Sequence, residues 1–174
     1  MKKALGIFIV FILLTTQFVK AQTAAEYQVK AVFLFNFTRF IDWPTTCFEA
    51  SNSPFVIGIL GNDPFGTYID ETVNGETAGQ HPIIIKRYKT IKDIDNCQIL
   101  FINSAESELI KPILGELKEK NILTVSDATN FASLGGIIGF FIENNKIKMQ
   151  INTDAAKAAS LSISSKLLSL AKIL

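Results

Sequence analysis

Apolar residues follow two kinds of pattern along this chain, one with helical spacing and one of short unbroken runs. From Ala24 to Asp42 they recur every three or four residues, which predicts a helix that ends before Pro44, because proline disfavours the α conformation at Trp43. The helix has two apolar stripes: Tyr27, Ala31, Leu34, Thr38 and Ile41, and Val29, Phe33, Asn36 and Phe40. A helix that is apolar on two faces is either buried on both or buried on one and in contact with a partner on the other.

Unbroken apolar runs are typical of strands that are buried on both faces of a parallel sheet. Four such runs are Pro54 to Leu60, Ile83 to Lys86, Ile99 to Ile102 and Ile122 to Val125. Helices are predicted between them over Pro64 to about Thr72, capped by Asp63, and over Glu106 to Lys120.

The last third of the chain changes pattern. Ile137 to Glu143 and Ile147 to Ile151, joined by Asn144-Asn145-Lys146, predict a β-hairpin, and a final helix is predicted from about Thr153 to Ala171. The order of elements predicts a single α/β domain. Its sheet is expected to be mixed and mostly parallel, flanked by helices, with a late β-hairpin and a C-terminal helix.

The N-terminal segment is interpreted as a cleavable signal peptide over residues 1–21. Lys2 and Lys3 precede the apolar run Ala4 to Leu14, and Val19-Lys20-Ala21 supplies a small-residue cleavage site. The alternative is an uncleaved anchor, but the run of about 11 residues is shorter than the roughly 20 that span a bilayer. The mature chain, residues 22–174, is therefore expected in the periplasm or outside the cell.

Composition and charge exclude several classes of protein. Of the 174 residues, 48% are hydrophobic and 19% are charged, which excludes intrinsic disorder. The net charge is +1, and it becomes −2 once Lys2, Lys3 and Lys20 are removed, so a nucleic-acid partner is not expected. One histidine and two cysteines argue against a zinc site.

Motifs for catalysis are absent from the sequence. There is no G-x-S-x-G or H-E-x-x-H motif, and His81 is expected to be an exposed loop residue. Gly61 to Gly66 is interpreted as a tight turn, since Thr67 stands where a phosphate-binding loop needs lysine. Asp63 and Asp127 follow predicted strand ends, where α/β folds place ligands, so a small-ligand site is the alternative to their roles in turns and caps. The sequence predicts no enzyme, no cofactor and no metal.

An ordered set of motifs, spread over nearly the whole mature chain, resembles the YfiR-like family of periplasmic regulators. The motifs are Glu26 to Ala31, Phe33 to Phe37, Trp43-Pro44, Gly61 to Gly66, Cys97 to Ile102, Leu123 to Asp127, Gly135-Gly136, Glu143 to Lys146, Ile151-Asn152 and Ser164 to Leu168. The resemblance assigns residues 22–174 to one YfiR-like domain.

The resemblance implies a non-enzymatic repressor that dimerises. Such proteins bind the periplasmic region of an inner-membrane diguanylate cyclase, and an outer-membrane lipoprotein can sequester them, which raises cyclic-di-GMP and favours biofilm. A histidine kinase is an alternative target, and a periplasmic small-ligand-binding protein is the alternative function.

The two cysteines are candidates for a disulfide, because an oxidising compartment permits Cys47 and Cys97 to pair; the alternative is two packed thiols. The resemblance complicates this expectation. Cys97 matches a family cysteine whose usual partner falls at Gly58, and a second family pair falls nearest Ala132 and Gly139. Either Cys47 substitutes as the partner of Cys97, or Cys97 is simply buried.

Contact surfaces are predicted from two sources. The resemblance implies partner binding through the last strand and the start of the last helix, at Gln150, Asn152 and Lys157, with a helix cap as the alternative role for Asn152. The aromatic content of the first helix predicts self-association through Phe33, Phe37 and Phe40.

Overall fold

The computed structural model describes residues 23–103, 107–118 and 120–174. The predicted signal peptide, residues 1–21, lies outside these ranges. The described residues form the predicted single α/β domain around an eight-stranded mixed sheet, and a small two-stranded sheet lies beside it. In the described ranges, none of the helices has the length and apolarity needed to cross a bilayer.

The sheet confirms the predicted strands and their mostly parallel pairing. The strands are β1 Ile41–Asp42, β2 Phe55–Gly61, β3 Thr77–Ala78, β4 His81–Tyr88, β5 Ile99–Asn103, β6 Leu123–Ser126, β7 Ile138–Glu143, β8 Lys146–Ile151, β9 Ser162–Ile163 and β10 Lys172–Ile173. The order in the large sheet is β10-β8-β7-β6-β5-β2-β4-β3. Strands β4, β2, β5, β6 and β7 are parallel, whereas β7 and β8 form the predicted antiparallel hairpin.

Five helices accompany the sheet. They are α1 over residues 23–40, α2 Tyr68–Val73, α3 Ser107–Leu117, α4 Thr153–Ala158 and α5 Ser165–Leu168. Short 3-10 turns cover Thr45–Cys47, Ile91–Asp93 and Ala132–Leu134.

The sheet separates two apolar clusters. The larger cluster joins α1, through Ala31, Leu34 and Phe37, to one face of the sheet and to the C-terminal helices. The smaller cluster joins α3, through Ile110 and Leu117, to the other face of β2 and β5. No residue of β7 or β8 belongs to the smaller cluster. On that face Phe131 and Ala132 lie over Gly139 near the start of β7, whereas Lys146 and Lys148 are exposed.

The C-terminal region is helical, but it is divided into two short helices instead of one helix to Ala171. Asn152 and Ser164 cap α4 and α5, with their side chains accepting from the Ala155 and Leu167 amides. Between the helices, Ser160 has a φ of 56° and β9 pairs with β1, Ile163 opposite Ile41. This long-range pairing interrupts an apolar pattern that has helical spacing along its full length.

The start of α2 also differs from the prediction. The helix begins at Tyr68 instead of Pro64, and Thr67 occupies the cap position. The Asp63 carboxylate still accepts a hydrogen bond locally, from the Phe65 amide at 2.7 Å, but it stabilises a turn before the helix.

Candidate functional site

A buried lysine lies at the carboxyl-terminal edge of the parallel strands. The Lys30 side chain, on α1, is 3% exposed, and its ammonium contacts carboxylate oxygens of Glu26 and Asp127, each at 2.5 Å. Asp127 directly follows β6, where α/β folds commonly place ligands. Because an unpaired buried charge is costly, both carboxylates stabilise the ammonium, and the contact with Asp127 ties the N-terminal half of α1 to the sheet.

Tyr27 completes this cluster and extends it into the core. Its hydroxyl donates to Asp127 at 2.8 Å, and the Lys30 ammonium lies 4.3 Å from its ring centre. Burial, and then the hydrogen bond to the Asp127 carboxylate, raise the pKa of Tyr27 well above its ordinary value. The ring also packs edge-on against Phe65 at 5.4 Å.

This cluster, Glu26, Tyr27, Lys30 and Asp127, was missed from the sequence. The available signal was Glu26 four residues before Lys30, which is the favourable order for a helical ion pair. The pairing of Lys30 with a residue 97 positions later has no local signal.

The two strand-end aspartates are both engaged by the chain's own cations. Asp63 accepts from Arg87 Nε at 2.7 Å, and Arg87 also makes two hydrogen bonds to Asp70, at 2.6 and 3.1 Å. The hydrogen bond from Arg87 lowers the pKa of Asp70 and raises that of Arg87 itself. Asp127 is held by Lys30, so each carboxylate has a structural role.

His81 is not the exposed loop residue that the sequence predicted. It opens β4, its Nδ1 lies 2.6 Å from the Ser53 carbonyl, and its ring stacks on Phe48 at 3.8 Å. The nitrogen at that distance donates its proton to the carbonyl, so His81 fastens the 45–54 segment to the sheet.

Both cysteines are free thiols in the structure, although they line one cleft. Cys97 is buried, and burial raises the pKa of its thiol to about 12. Cys47 is half-buried, which also raises the pKa of its thiol. A Cys47–Cys97 disulfide stays a prediction.

The positions of the two family disulfides are adjacent in space. A Cβ atom on Gly58 would lie 2.8 Å from Cys97 Sγ, and one on Gly139 would lie 3.8 Å from Ala132 Cβ. The second distance is the mean separation of Cβ atoms in a disulfide. The spacing of Ala132 and Gly139 therefore matches a disulfide, whereas a Cβ atom on Gly58 would also lie 2.7 Å from the Tyr88 ring, so a cysteine there requires that ring to move. This chain lacks one cysteine of the first pair and both of the second.

The three predicted partner-binding residues lie in different environments. Gln150 lines a groove of about 410 Å³ on the second face of the hairpin, together with Phe141 and Lys172. The Asn152 side chain caps α4 and also donates to the Ala132 carbonyl at 3.0 Å, so the cap role is confirmed. Lys157 is exposed on α4 and lies 3.4 Å from the Asp154 carboxylate. Their binding to a partner stays a prediction.

The aromatic residues of α1 face mostly inward. Phe37 is fully buried and its ring stacks on Phe140 at 6.2 Å, while Phe33 and Phe40 are half-buried. The exposed large apolar side chains of the helix are Val29 and Val32, at 47% and 39%. Self-association through α1 is untested by these contacts.

An open groove separates α1 from the β7–β8 hairpin. It has a volume of about 540 Å³, and we name it the hairpin groove. Its apolar walls are Val29, Phe33, Ile142 and Ile147, and its charged rim residues are Glu26 and Lys146. Ile142 is 57% exposed, so this end of the hairpin presents apolar surface to solvent.

These features define an α/β domain whose central parallel strands are packed on both faces, while the end of its hairpin is exposed to solvent. The chain belongs to the YfiR/HmsC-like family, whose model matches residues 27–172. That family consists of periplasmic regulatory proteins that are not enzymes. No curated protein matches the chain.

Proposed function

We propose that this protein is a periplasmic regulator that binds and represses a membrane-bound signalling protein, a diguanylate cyclase, and thereby lowers cyclic-di-GMP and restrains biofilm formation. The observation that carries the proposal is the family match, because it spans residues 27–172 and includes seven strands of the large sheet and the first residue of β10. A competing envelope partner, such as an outer-membrane lipoprotein, would release the cyclase.

Repression requires a difference in affinity between two states of the target. A repressor shifts the equilibrium of its target only if it binds the inactive state more tightly than the active state. Changing the ratio of inactive to active target from 1:99 to 99:1 needs a difference in binding free energy of about 5.5 kcal/mol. The competing partner then acts by lowering the concentration of free regulator. No reactive centre in the regulator is needed for either step.

The partner surface that we propose includes Gln150 and Lys157. Gln150 lies on the second face of the hairpin, beside the exposed Lys172, and Lys157 projects from α4 into solvent. Asn152 has both ends of its amide occupied by the fold, so its contribution is to position the start of α4 between these two residues.

Self-association through α1 is part of the proposal. Phe37 fixes the helix on the sheet by packing on Phe140. Phe33 and Phe40 are half-buried, and Phe33 lies one helical turn from the exposed Val29. The second apolar face that the sequence predicts is therefore available for a homodimer contact through the two valines.

A small-ligand-binding function is the second candidate, and the hairpin groove is the observation that favours it. Its volume of about 540 Å³ lies in the range of ligand pockets, and Glu26 and Lys146 provide one charge of each sign at its rim. The groove is open, however, whereas a small ligand is usually enclosed on most sides.

The test combines capture of the target with measurement of its output. Mature protein is used to capture proteins from solubilised inner membrane of the producing bacterium, and cyclic-di-GMP is measured in cells with and without the gene. We expect capture of a diguanylate cyclase and a rise in cyclic-di-GMP on deletion. Loss of the gene with no change in cyclic-di-GMP would refute regulation of a cyclase.

Matched variants locate the contact. Lys157→Glu is expected to weaken capture, whereas Lys92→Glu, an equal change of charge at an exposed site near the opposite sheet edge, is expected to leave it unchanged. Equal capture by both variants would remove Lys157 from the proposed surface.

A further inference from the structure

Strand β8 has an outer edge that is only partly covered. It pairs with β7 along its whole length, but β10 covers its other side only at Gln150 and Ile151. The Ile151 carbonyl points to that side, since it accepts from the Leu174 amide at 2.9 Å. Backbone groups alternate in direction along a strand, so the amides and carbonyls of Ile147 and Met149 point the same way. The Met149 carbonyl is used by β10, because the parallel pairing of Gln150 with Lys172 places the Lys172 amide on it. No strand of the described ranges pairs with the amide and carbonyl of Ile147 or with the Met149 amide.

The surroundings of this edge are basic. Residues 144–152 and 166–174 carry four lysines and no aspartate or glutamate, although the mature chain as a whole has a net charge of −2. All four lysines are exposed: Lys146, Lys148, Lys166 and Lys172. Electrostatic attraction therefore favours a negatively charged segment at this edge.

The two faces of the edge differ in polarity. Ile147 and Met149 point to the α1 side, where Ile147 lines the hairpin groove, and Lys148 points to the opposite side. Side chains of an added strand would alternate in the same way. The position therefore suits a segment in which apolar residues alternate with acidic ones.

We propose that the outer edge of β8 docks an extended segment of a protein partner as an added strand, with apolar side chains toward the hairpin groove and carboxylates toward Lys148 and its neighbours. The inference rests on the proposed function, in which the chain binds an envelope protein, and it specifies how that protein is held. Main-chain hydrogen bonds supply affinity in this mode, and alternate side chains supply specificity.

Two other occupants fit the edge less well. A second copy paired edge to edge would bring lysines opposite lysines, which is destabilising. A lipid surface could attract the lysines, but its acyl chains leave the outward amides and carbonyls without partners.

The first experiment measures amide hydrogen exchange in the mature protein with a probe peptide, an end-blocked octapeptide of alternating glutamate and valine. We expect the amides of Ile147 and Met149 to exchange at least about tenfold more slowly with the peptide, because a new pairing must open before they exchange. An octapeptide of alternating lysine and valine is expected to have no effect. Unchanged exchange with the glutamate peptide would overturn the proposal.

Two variants separate pairing from charge. Ile147→Pro removes an outward amide that β7 does not use, while Ile147→Ala keeps the amide and shortens the side chain. Binding of the peptide should be lost in Ile147→Pro and retained, more weakly, in Ile147→Ala. Equal binding by the proline variant would show that no strand is added.

Charge reversal at Lys146 and Lys148 together should abolish protection, whereas reversal at Lys89 and Lys92, near the opposite edge, should preserve it. Protection of the same amides by phosphatidylglycerol vesicles, with none from the peptide, would assign the edge to a lipid surface and overturn the proposal.

If Ile147→Pro still captures the membrane target, the proposed function stands and strand addition is wrong. If the wild type captures no target, the proposed function fails, and the peptide experiment alone decides whether β8 accepts an added strand.

Discussion

At the scale of single residues, the protein depends on Lys30 being neutralised in place. Its ammonium has almost no access to solvent and relies on Glu26, Asp127 and the Tyr27 ring. A buried charge that loses one partner keeps its full desolvation cost, so the arrangement is more sensitive to loss of a partner than an exposed ion pair is.

We expect Asp127→Asn to lower the free energy of unfolding by about 2 kcal/mol, because Lys30 and Tyr27 both lose a charged hydrogen-bond acceptor. Denaturant unfolding measures the change. Glu76→Gln is the matched control, since Glu76 forms an exposed pair with Arg39 at 3.4 Å and should change stability by less than about 0.5 kcal/mol. Equal effects of the two substitutions would show that the Lys30 cluster does not hold α1.

Cys97 predicts a dependence of stability on alkaline pH. Its thiol has a pKa of about 12 in the folded protein against an ordinary 9.0, so its stabilising contribution is complete below pH 9 and is lost as the pH rises from 9 to 12. Between pH 8 and pH 10, under reducing conditions, the loss is about 1 kcal/mol.

Cys97→Ala should therefore lose less stability than the wild type over that interval, as measured by denaturant unfolding at several pH values. Tyr27, whose pKa is raised by burial and by Asp127, contributes equally to both proteins and cancels in the comparison. Because the charge of Cys97 is one cause of the raised pKa of Tyr88, after burial, both proteins carry Tyr88→Phe in this comparison. The same pH dependence in both proteins would contradict a buried, protonated Cys97.

At the scale of elements, prediction from sequence succeeded where local pattern decides the structure. The unbroken apolar runs predicted β2, β5 and β6 because strands buried on both faces need apolar side chains at every position. The hairpin was predicted from Asn144 and Asn145, which have φ values of 50° and 61°, as a two-residue turn requires.

Prediction failed where distant pairing overrides local propensity. The segment from Thr153 to Ala171 has a helical stripe throughout, yet β9 leaves the helix to pair with β1. The cluster around Lys30 was not predicted for the same reason, since Asp127, which pairs with Lys30, is remote in sequence. Gln150 lies beside Lys172 because β10 pairs with β8. A strand of only two residues, such as β10, has no pattern from which it could be predicted.

The turn at Ala132–Leu134 and strand β7 lie close enough to be joined covalently. In a Cys47→Ser, Cys97→Ser background, we expect Ala132→Cys with Gly139→Cys to form a disulfide, because the two Cβ atoms would be 3.8 Å apart. Mass spectrometry after alkylation under non-reducing conditions would show no free thiol. Full alkylation of the double variant would contradict the geometry, and Ala132→Cys alone provides the alkylated reference.

At the scale of the whole molecule, the exposed residues of α1 and the core residues of the same helix should behave differently. Val29→Glu with Val32→Glu is expected to convert a dimer into a monomer, because two carboxylates would be buried in the contact, while thermal unfolding changes little. Analytical ultracentrifugation measures the state of assembly. Phe37→Glu, in contrast, should unfold the protein.

A dimer that survives the double valine substitution would place self-association elsewhere on the surface. Val29→Thr with Val32→Thr keeps the shape of the two side chains without adding charge, so it should retain most of the dimer and serves as the control.

The contacts of α1 also matter during synthesis and export, because α1 is made before the residues on which it packs. Phe33 and Phe37 pack on Phe140, more than a hundred residues later, and α1 is the first element of the described chain. Whether the polypeptide leaves a ribosome or is threaded through a translocon, the helix emerges long before β7, on which it packs. We expect a holding chaperone to shield its apolar face during transit, and a product truncated before residue 140 to be cleared by proteases.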